Sequence, residues 1–195
     1  MARLALFDLD GTITSRDTMF AFVRHACGPV RLGLGLVWLS PLLVAHKLGL
    51  VPAQLAKEQL LRHFFGGHTR ERLEALGRSF VAQIDASTRP EARTRLDWHR
   101  EQGHDIVVVS ASLDLWLAAW AAHHGLRLLC TGAAFDGDTF TGALSTPNCT
   151  GPCKEERIRE ALDLGAYEFV YGYGDSAGDA EMLALADEVW FRPFR

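Results

Sequence analysis

Two aspartates, Asp8 and Asp10, directly follow the apolar run Leu-Ala-Leu-Phe at residues 4–7. This run predicts a buried strand, so two like charges stand where that strand ends. A carboxylate in this place can attack phosphorus, because an aspartyl-phosphate divides a difficult hydrolysis into two easier steps. A second carboxylate can protonate the leaving oxygen and later take a proton from water. We therefore expect Asp8 to act as a nucleophile and Asp10 as a general acid and base.

Further polar residues stand at the ends of other predicted elements. Ser110 ends a strand, Lys154 opens a helix after an irregular loop, and the pair Asp175 and Asp179 follows a third strand. Ligands of open parallel sheets bind beyond the carboxyl ends of the strands, so these side chains should meet at one edge. We expect the phosphate oxygens to be held by residues from these loops, namely Thr12, Ser110, Ala111 and Lys154.

Several acids at one edge repel each other unless a cation lies among them. Carboxylate oxygens beside a phosphate favour Mg²⁺, which commonly takes only one or two carboxylates from the protein. Asp8 and Asp175 would supply these ligands, and Asp179 would support them. The same like charges, together with partial burial, should raise the pKa of Asp10 and suit it to proton transfer.

Each of these features also has a purely structural interpretation. Asp10 and Gly11 could form the tip of a turn, and Ser110 could cap a helix. Lys154 heads a charged stretch typical of a solvated helix face, while Asp175 and Asp179 are acids favoured at a helix start. Only the occurrence of the whole set, in order and at the right element boundaries, favours the chemical interpretation.

The elements that must position these residues follow from hydrophobic periodicity. After the first strand, helices are predicted at residues 18–27, 30–47, 52–65 and 70–84, and no strand interrupts them. A further helix is predicted to start with a capping box at Thr88 and Glu91. Strands and helices then alternate, with a small hairpin around Gly137. This predicts an α/β fold: a Rossmann-like parallel sheet covered by helices (residues 1–14 and 87–195) with an all-helical cap (residues 15–86) inserted after the first strand.

Composition limits the class of partner and compartment. The 195 residues carry a formal net charge of −4 without a long basic run, so nucleic acid is an unexpected partner. The four cysteines form no dense framework, and no secretion signal is evident at the N-terminus. We therefore expect a cytoplasmic protein, with Cys149 and Cys153 as ordinary thiols.

In this order the motifs resemble those of the haloacid dehalogenase superfamily of phosphatases. The matching segments are Asp-Leu-Asp-Gly-Thr at residues 8–12, Val-Val-Val-Ser-Ala-Ser at 107–112, Lys154, and Gly-Asp-Ser-Ala-Gly-Asp at 174–179. The resemblance implies a Mg²⁺-dependent phosphatase in which the Asp10 backbone carbonyl is a further metal ligand. Members that remove halides need no acid for the leaving group, so Asp10 favours phosphate esters.

The helical insertion is similar to the cap of the phosphoserine-phosphatase-like branch. Asp17 lies where that branch carries a substrate-binding glutamate, although it is equally suited to cap a helix. The second motif departs from that branch, because Ser-Ala-Ser-Leu replaces Ser-Gly-Gly-Phe at residues 110–113. The chain also resembles the C-type phosphatidylglycerophosphate phosphatases in its apolar cap segment and in the motifs around Lys154 and Asp175. A phosphorylated small molecule or a lipid head group is therefore the expected substrate.

The apolar cap segment, residues 32–45, raises the question of a membrane. At about 1.5 Å per residue it spans roughly 21 Å, short of the roughly 30 Å of a bilayer core. It is then either a buried helix or homodimer contact, or a peripheral contact with the inner membrane face, for which Leu36, Trp38 and Leu39 are the side chains to test.

Two other functional classes fit parts of the sequence. Gly-Tyr-Gly-Asp-Ser-Ala at residues 172–177 matches a dinucleotide-binding pattern, but little chain follows it. A phosphorylation-switched receiver also uses an acceptor aspartate, clustered acids and a lysine. It needs neither an acid two residues beyond the acceptor nor a cap, so the sequence disfavours it.

Overall fold

A five-stranded parallel sheet forms the centre of the protein. The computed structural model describes residues 2–194. In chain order the elements are β1 (Ala2–Phe7), α1 (Thr18–Lys47), α2 (Ala53–Phe65), α3 (Arg70–Ser87), α4 (Pro90–Glu101), β2 (Asp105–Leu113), α5 (Asp114–His123), β3 (Arg127–Thr131), β4 (Ala133–Asp136), β5 (Thr139–Leu144), α6 (Pro152–Ala161), β6 (Tyr167–Gly174), α7 (Ala180–Leu183) and β7 (Glu188–Phe191). The sheet order is β3-β2-β1-β6-β7, and its neighbouring strands are parallel. The predicted fold class is confirmed.

Strand β1 lies in the middle of the sheet, which explains its uninterrupted apolar sequence. Successive side chains of a strand point to opposite faces. Leu4 and Leu6 pack with the cluster under α6 and α7, whereas Ala5 and Phe7 pack into the larger cluster on the other face. Both faces of β1 are therefore covered. Since β1 is the middle strand, Asp8, which follows Phe7, lies at the centre of the carboxyl edge of the sheet.

Helices α1, α2 and α3 fill the interval between β1 and β2, where an all-helical segment was predicted. The two helices predicted on either side of Gly28 form one helical segment with a break, since Gly28 has non-helical angles (φ 80°, ψ 163°). Helix α3 packs closely on α5, because a Cβ on Gly77 would lie 2.1 Å from the Leu115 carbonyl oxygen. The division into a core and a cap at residues 14/15 and 86/87 stays a prediction.

Two expectations are corrected. The capping box at Thr88 is wrong: the Thr88 hydroxyl donates to the Ile84 carbonyl oxygen and so ends α3, and α4 begins with Pro90 in its first turn. The length argument for residues 32–45 also fails, because α1 continues on both sides of them. By length and composition alone α1 could cross a membrane. The predicted hairpin is confirmed as the antiparallel pair β4 and β5.

Candidate active site

Asp8 lies directly after β1, at the carboxyl edge of the central sheet. Its backbone N–H donates to the Tyr173 carbonyl oxygen at 2.9 Å, which ties the β1 loop to β6. The side chain is only 6% exposed, and Oδ1 accepts a hydrogen bond from Lys154 Nζ at 2.7 Å. Among residues 2–194, buried Oδ2 has no hydrogen-bond partner. One oxygen of Asp8 is thus held in place and the other is unpartnered.

Lys154 enters this edge from the first turn of α6 and is 1% exposed. Its ammonium donates to Asp8 Oδ1 at 2.7 Å, to Asp179 Oδ1 at 2.7 Å and to the Val109 carbonyl oxygen at 2.8 Å. These three bonds use all three donors of the ammonium. Burial alone would lower the pKa of Lys154, but the two carboxylates outweigh it and raise the pKa to about 12. Lys154 is therefore a fixed positive charge.

Three buried carboxylates, those of Asp8, Asp175 and Asp179, bring oxygens within 4.8 Å of one another. Lys154 donates to two of them, Asp8 and Asp179. Burial raises the pKa of Asp8 to about 7, and the Asp179 charge adds to this in spite of Lys154. Buried carboxylates so close together are costly unless cations offset their charge. Hard oxygen donors and the unpartnered Asp8 Oδ2 are what a divalent cation such as Mg²⁺ prefers. The residues present therefore fit a metal ion.

Asp179 orients its neighbours with both carboxylate oxygens. Oδ1 accepts from Lys154, while Oδ2 accepts from the backbone N–H groups of Asp175 and Ser176 and from the Ser176 hydroxyl at 2.9–3.1 Å. Burial raises the pKa of Asp179, but Lys154 and these hydrogen bonds outweigh burial and lower it. Asp179 thus stays charged and fixes both Lys154 and the loop after β6.

Gly11 lets the β1 loop approach Asp175. Its φ of +90° lies in the left-handed region that disfavours other residues. A Cβ at this position would lie 2.6 Å from Asp175 Oδ2. The glycine of the first motif is therefore required both by backbone conformation and by the closeness of the carboxylate.

A chain of hydrogen bonds holds Asp10. Its Oδ1 accepts from the Thr18 backbone N–H at 2.6 Å, and its Oδ2 accepts from the Ser112 hydroxyl at 2.6 Å. The Trp116 indole N–H donates to Thr18 Oγ1 at 3.1 Å, so the Thr18 hydroxyl is free to donate to Ser112 Oγ at 2.9 Å. The Ser112 hydroxyl gives its single proton to Asp10, so Thr18 must be the donor in the bond between the two hydroxyls.

The pKa of Asp10 is raised, as the sequence predicts. Burial is the largest cause, and the charge of Asp17 comes next; the hydrogen bonds from Ser112 and Thr18 oppose the shift. The predicted direction therefore holds, whereas the most important like charge belongs to Asp17 rather than Asp8.

A cavity of about 380 Å³ lies between this sheet edge and the helices α1 and α2. Its floor includes Asp8, Asp10 and Lys154, and its helical side includes Leu43 and His46 of α1. Substrate-sized space is thus present directly over the proposed nucleophile.

Lys57 of α2 reaches across this cavity to the core. Its ammonium donates to the Asn148 side-chain oxygen at 2.8 Å and to the Ala111 carbonyl oxygen. Burial lowers the pKa of Lys57 to about 8, although the charges of Asp10 and Asp17 oppose the change. A second cation, from a helix rather than from the sheet, therefore faces the site.

The other predicted site residues divide into two groups. Ala111 and Asp17 line the cavity, and Asp17 also caps α1 by accepting from the Phe20 backbone N–H at 3.1 Å. Ser110 and Thr12 are buried, and neither belongs to the described residues that line the cavity. Ser110 Oγ accepts from the Ser112 backbone N–H at 3.0 Å, so this hydroxyl holds the backbone at the end of β2.

Three residues at the site were missed from sequence. Ser112 stands in the second motif, whose alternation could have shown that it shares a strand face with Ser110. Lys57 sits in a helix that reads as an ordinary amphipathic surface, and Asn148 lies in an irregular loop. For these two no local signal exists, since their meeting depends on how α2 lies over the sheet edge and the loop before α6.

The glycines of the dinucleotide-like pattern have a packing role. A Cβ on Gly172 would lie 2.8 Å from the Ala186 Cβ, and one on Gly174 would lie 2.8 Å from the Asp179 Cβ. The chain itself therefore occupies the space beside both glycines, which accounts for them without a nucleotide.

The comparisons with known proteins agree with this geometry. The sequence model of the haloacid dehalogenase-like hydrolases matches residues 5–184. The protein CicA of Caulobacter vibrioides is 35% identical over 98% of this chain and 86% of its own length. A 2-hydroxy-3-keto-5-methylthiopentenyl-1-phosphate phosphatase of Brevibacillus brevis is 27% identical over 98% of this chain and 84% of its own length.

Solved structures share the fold over nearly the whole chain. A protein of unknown function from Bordetella pertussis Tohama I superposes with a TM-score of 0.83 at 24% identity, over 97% of this chain and 89% of that one. A substrate-bound phosphoserine phosphatase superposes with a TM-score of 0.69 at 15% identity, over 98% and 86%. The chain belongs to the haloacid dehalogenase-like hydrolase family and is a phosphatase, a phosphoric monoester hydrolase of that type.

Proposed function

We propose that the chain hydrolyses a phosphate monoester through an aspartyl-phosphate on Asp8, with Mg²⁺ as its cofactor. The observation that carries the proposal is the buried, unpartnered Asp8 Oδ2, beside a fixed ammonium and two further carboxylates. Asp10, anchored on two sides and raised in pKa, lies in the same cavity. Nucleophile, proton carrier and charge compensation are then supplied by neighbouring loops.

The reaction proceeds in two displacements. An Asp8 oxygen forms a bond to phosphorus while the ester P–O bond breaks, and the leaving oxygen takes its electron pair and the proton of Asp10. Water then attacks the phosphorus and gives a proton to Asp10, and the bond to Asp8 breaks to release inorganic phosphate. Lys154 stays within hydrogen-bond distance of Asp8 and offsets negative charge in both steps.

Asp8, Asp175 and the Asp10 backbone carbonyl would hold Mg²⁺, and Asp179 would support them through its contacts with the Asp175 loop. When bound, Mg²⁺ offsets the charge of the phosphoryl oxygens. We place Thr12, Ser110, Ala111 and Lys154 at the phosphate. Among the described residues the buried Thr12 hydroxyl has no hydrogen-bond partner, so it can donate to a phosphate oxygen.

Turnover of an aryl phosphate tests the reaction. Purified protein should hydrolyse p-nitrophenyl phosphate with Mg²⁺, and EDTA or Asp8→Asn should abolish hydrolysis. Asp136→Asn, at the exposed end of β4, is the matched control and should retain activity. Activity that survives both chelation and Asp8→Asn would overturn the proposal. A receiver-type switch would instead keep phosphate on Asp8 for minutes without steady turnover.

The role of Asp10 is tested by varying the leaving group. A nitrophenolate departs with little help from an acid, whereas an alkoxide needs a proton. Asp10→Asn should therefore slow formation of the phosphoenzyme far more with an alkyl phosphate than with p-nitrophenyl phosphate. Equal losses in this first step with both substrates would show that Asp10 is not the acid.

The substrate is proposed to be a small phosphorylated metabolite or a lipid head group. The cavity wall contributed by α1 and α2 is largely apolar, with Leu43, Ala56 and Leu60 opposite the polar sheet edge. This contrast fits a phosphate joined to a group with a weakly polar portion. In a screen of phosphorylated amino acids, sugars and lipid head groups, compounds with a weakly polar portion should give the highest kcat/KM, and strict preference for phosphorylated sugars would contradict the inference of such a portion.

We also propose a cytoplasmic location. Cys27, Cys130, Cys149 and Cys153 are all free thiols within the described part of the chain. Free thiols suit a reducing compartment. Fractionation of cells that produce the protein tests this location, and recovery from an oxidising compartment would contradict it.

A further inference from the structure

The solvent side of α1 carries a concentrated set of exposed apolar side chains. Among residues 2–194, eight of the eleven exposed large hydrophobic side chains lie within residues 30–55. Trp38 is 76% exposed, which is unusual for so large an apolar group. We call the exposed large apolar side chains of α1 the apolar cap face; its members are Val30, Leu34, Val37, Trp38 and Val44. Contiguous exposed apolar surface of this kind typically marks an interaction site.

The apolar cap face is one-sided. At about 100° per helical residue its five members fall within an arc of about 120°. The opposite side of α1 packs on the protein: Leu39 is buried, and a Cβ on Gly35 would lie 2.3 Å from the Phe64 ring. A helix held by its own protein along one side cannot be surrounded by lipid without leaving its partner. The face is therefore suited to lie on a surface rather than to cross a membrane.

Basic residues border this face at both edges. Arg31 and Lys47 are exposed and, on the same helical projection, lie about 20° and about 60° outside the two edges of the apolar arc. Residues 18–57 contain four Lys and Arg residues and no Asp or Glu, although the whole chain has a formal net charge of −4. An apolar stripe bordered by cations is typical of helices that lie in the interface of an anionic membrane.

The charges argue against a second copy as the occupant. A two-fold contact between two such faces would bring basic borders together, with no acid in residues 18–57 to pair with them. Anionic head groups complement the same borders, and the acyl region accepts the apolar arc. We propose that the apolar cap face docks on the surface of a lipid bilayer that contains anionic lipids.

Docking would bring the membrane next to the helix that forms part of the cavity wall. Leu43 and His46 of α1 line the cavity, whereas Val44 and Lys47, next to them in sequence, point to solvent. One helix therefore joins the bilayer surface to the site. The docking itself does not depend on catalysis, so binding and turnover are measured separately.

Vesicle co-sedimentation tests the proposal. The full chain should sediment with phosphatidylcholine vesicles that contain phosphatidylglycerol, and much less with phosphatidylcholine alone. Leu34→Gln with Trp38→Gln should lower the bound fraction about tenfold. Val189→Gln, an exposed valine on β7, is the matched apolar control and should bind like the parent chain.

Charge reversal separates the electrostatic contribution to vesicle binding from the apolar one. Lys47→Glu should weaken binding to the anionic vesicles, and high salt should weaken it as well, whereas Arg78→Glu on exposed α3 should not. Hydrolysis of p-nitrophenyl phosphate in solution should stay unchanged in all these variants, which also shows that they fold. No sedimentation of the parent chain with anionic vesicles, or equal sedimentation of the Leu34/Trp38 variant, would overturn the proposal.

Trp38 provides a direct readout of contact. Its fluorescence should shift to shorter wavelength when anionic vesicles are added, because the indole leaves water. Trp38→Leu should keep binding and lose most of this shift. A dimer in solution that Leu34→Gln with Trp38→Gln converts to a monomer, without vesicle binding by the parent chain, would instead assign the face to a second copy.

Discussion

The sheet edge buries charged side chains, whereas the apolar cap face exposes hydrophobic ones, and both reverse the usual distribution of polar and apolar residues. At the sheet edge Asp8, Lys154 and Asp179 are 6%, 1% and 1% exposed, whereas Val37 and Trp38 on the cap face are 73% and 76% exposed. Burying charge is costly unless hydrogen bonds and counter-charges offset it, and exposing apolar surface is costly unless a partner covers it. Both regions depart from the arrangement that stability alone favours, and each departure coincides with a function proposed above.

The two regions also differ in how firmly they are held. The buried charges are joined by short hydrogen bonds that link α6, strand β2 and the loops after β1 and β6. The cap face has no comparable network among the described residues, and only the opposite side of α1 contacts the core. Substitutions at the sheet edge should therefore lower kcat and stability. Substitutions of α2 residues in the cavity should alter substrate binding, and substitutions on the cap face of α1 should alter vesicle binding.

The largest effect is expected for Lys154→Met. Without the ammonium, Asp8 and Asp179 stay buried and lose their shared partner, which should lower the free energy of unfolding by about 3–5 kcal/mol. Loss of charge compensation should lower kcat by about 10²–10³-fold. Urea unfolding and steady-state kinetics measure both, with the exposed Lys47→Met as control. Equal behaviour of the two variants would remove the contrast between buried and exposed cations.

Gly11→Ala should have the next largest effect. The new Cβ would meet Asp175 Oδ2 at 2.6 Å, and φ is +90°. Gly137→Ala is the matched control, because its φ of +55° is also positive and its Cβ would meet nothing within 4 Å. Both should lose about 1–2 kcal/mol of stability from backbone strain, but only Gly11→Ala should also lose most activity. Similar activity in the two variants would show that the approach to Asp175 is unimportant.

Ser112→Ala should lower kcat/KM about tenfold and change its pH dependence, because Asp10 loses one anchor. The Ser112 hydrogen bond lowers the pKa of Asp10, so its removal raises that pKa. Asp10 would then stay protonated to higher pH, and the alkaline limb of the pH profile of kcat/KM should move to higher pH. Ser79→Ala, an exposed serine of α3, should leave the profile unchanged. A downward shift of the limb in Ser112→Ala would contradict the assignment of Asp10 as the acid.

Lys57→Met should raise KM several-fold, with a smaller change in kcat, because it removes the contacts of α2 with Ala111 of β2 and with the loop that carries Asn148. The pKa of Lys57 is about 8, so its charge is present below that pH and is lost above it. KM of the parent chain should therefore rise above about pH 8, and this rise should be absent in Lys57→Met. A loss confined to kcat would place Lys57 with the chemistry of the sheet edge instead.

Much of the fold could be read from local sequence because its signals are local. The apolar run before Asp8 predicts a central strand whatever packs on it, and the strand at Glu188–Phe191 follows from the same pattern. The failure at Thr88 has a local cause, because the same side chain can serve either end of a helix. That hydroxyl is within reach of the Ile84 carbonyl oxygen, so it ends one helix instead of starting another.

The site was less completely predictable than the fold. Asp8 follows β1, and Asp175 and Asp179 follow β6, so these acids meet at one sheet edge, where Lys154 joins them from the first turn of α6. Which face of a helix meets water depends on packing. Of the side chains expected at a membrane, Trp38 is exposed, Leu36 is partly buried and Leu39 is buried against the core.

Trapping the phosphoryl group on Asp8 tests the central claim most directly. Asp10→Asn should form the phosphoenzyme with an aryl phosphate and Mg²⁺ but hydrolyse it slowly, so that acid quench preserves it. Mass spectrometry of the peptide containing residues 4–14 should then show one added phosphoryl group on Asp8 that hydroxylamine removes, as expected for an acyl phosphate. Phosphate on any other residue, or undiminished turnover by Asp8→Asn, would contradict the account.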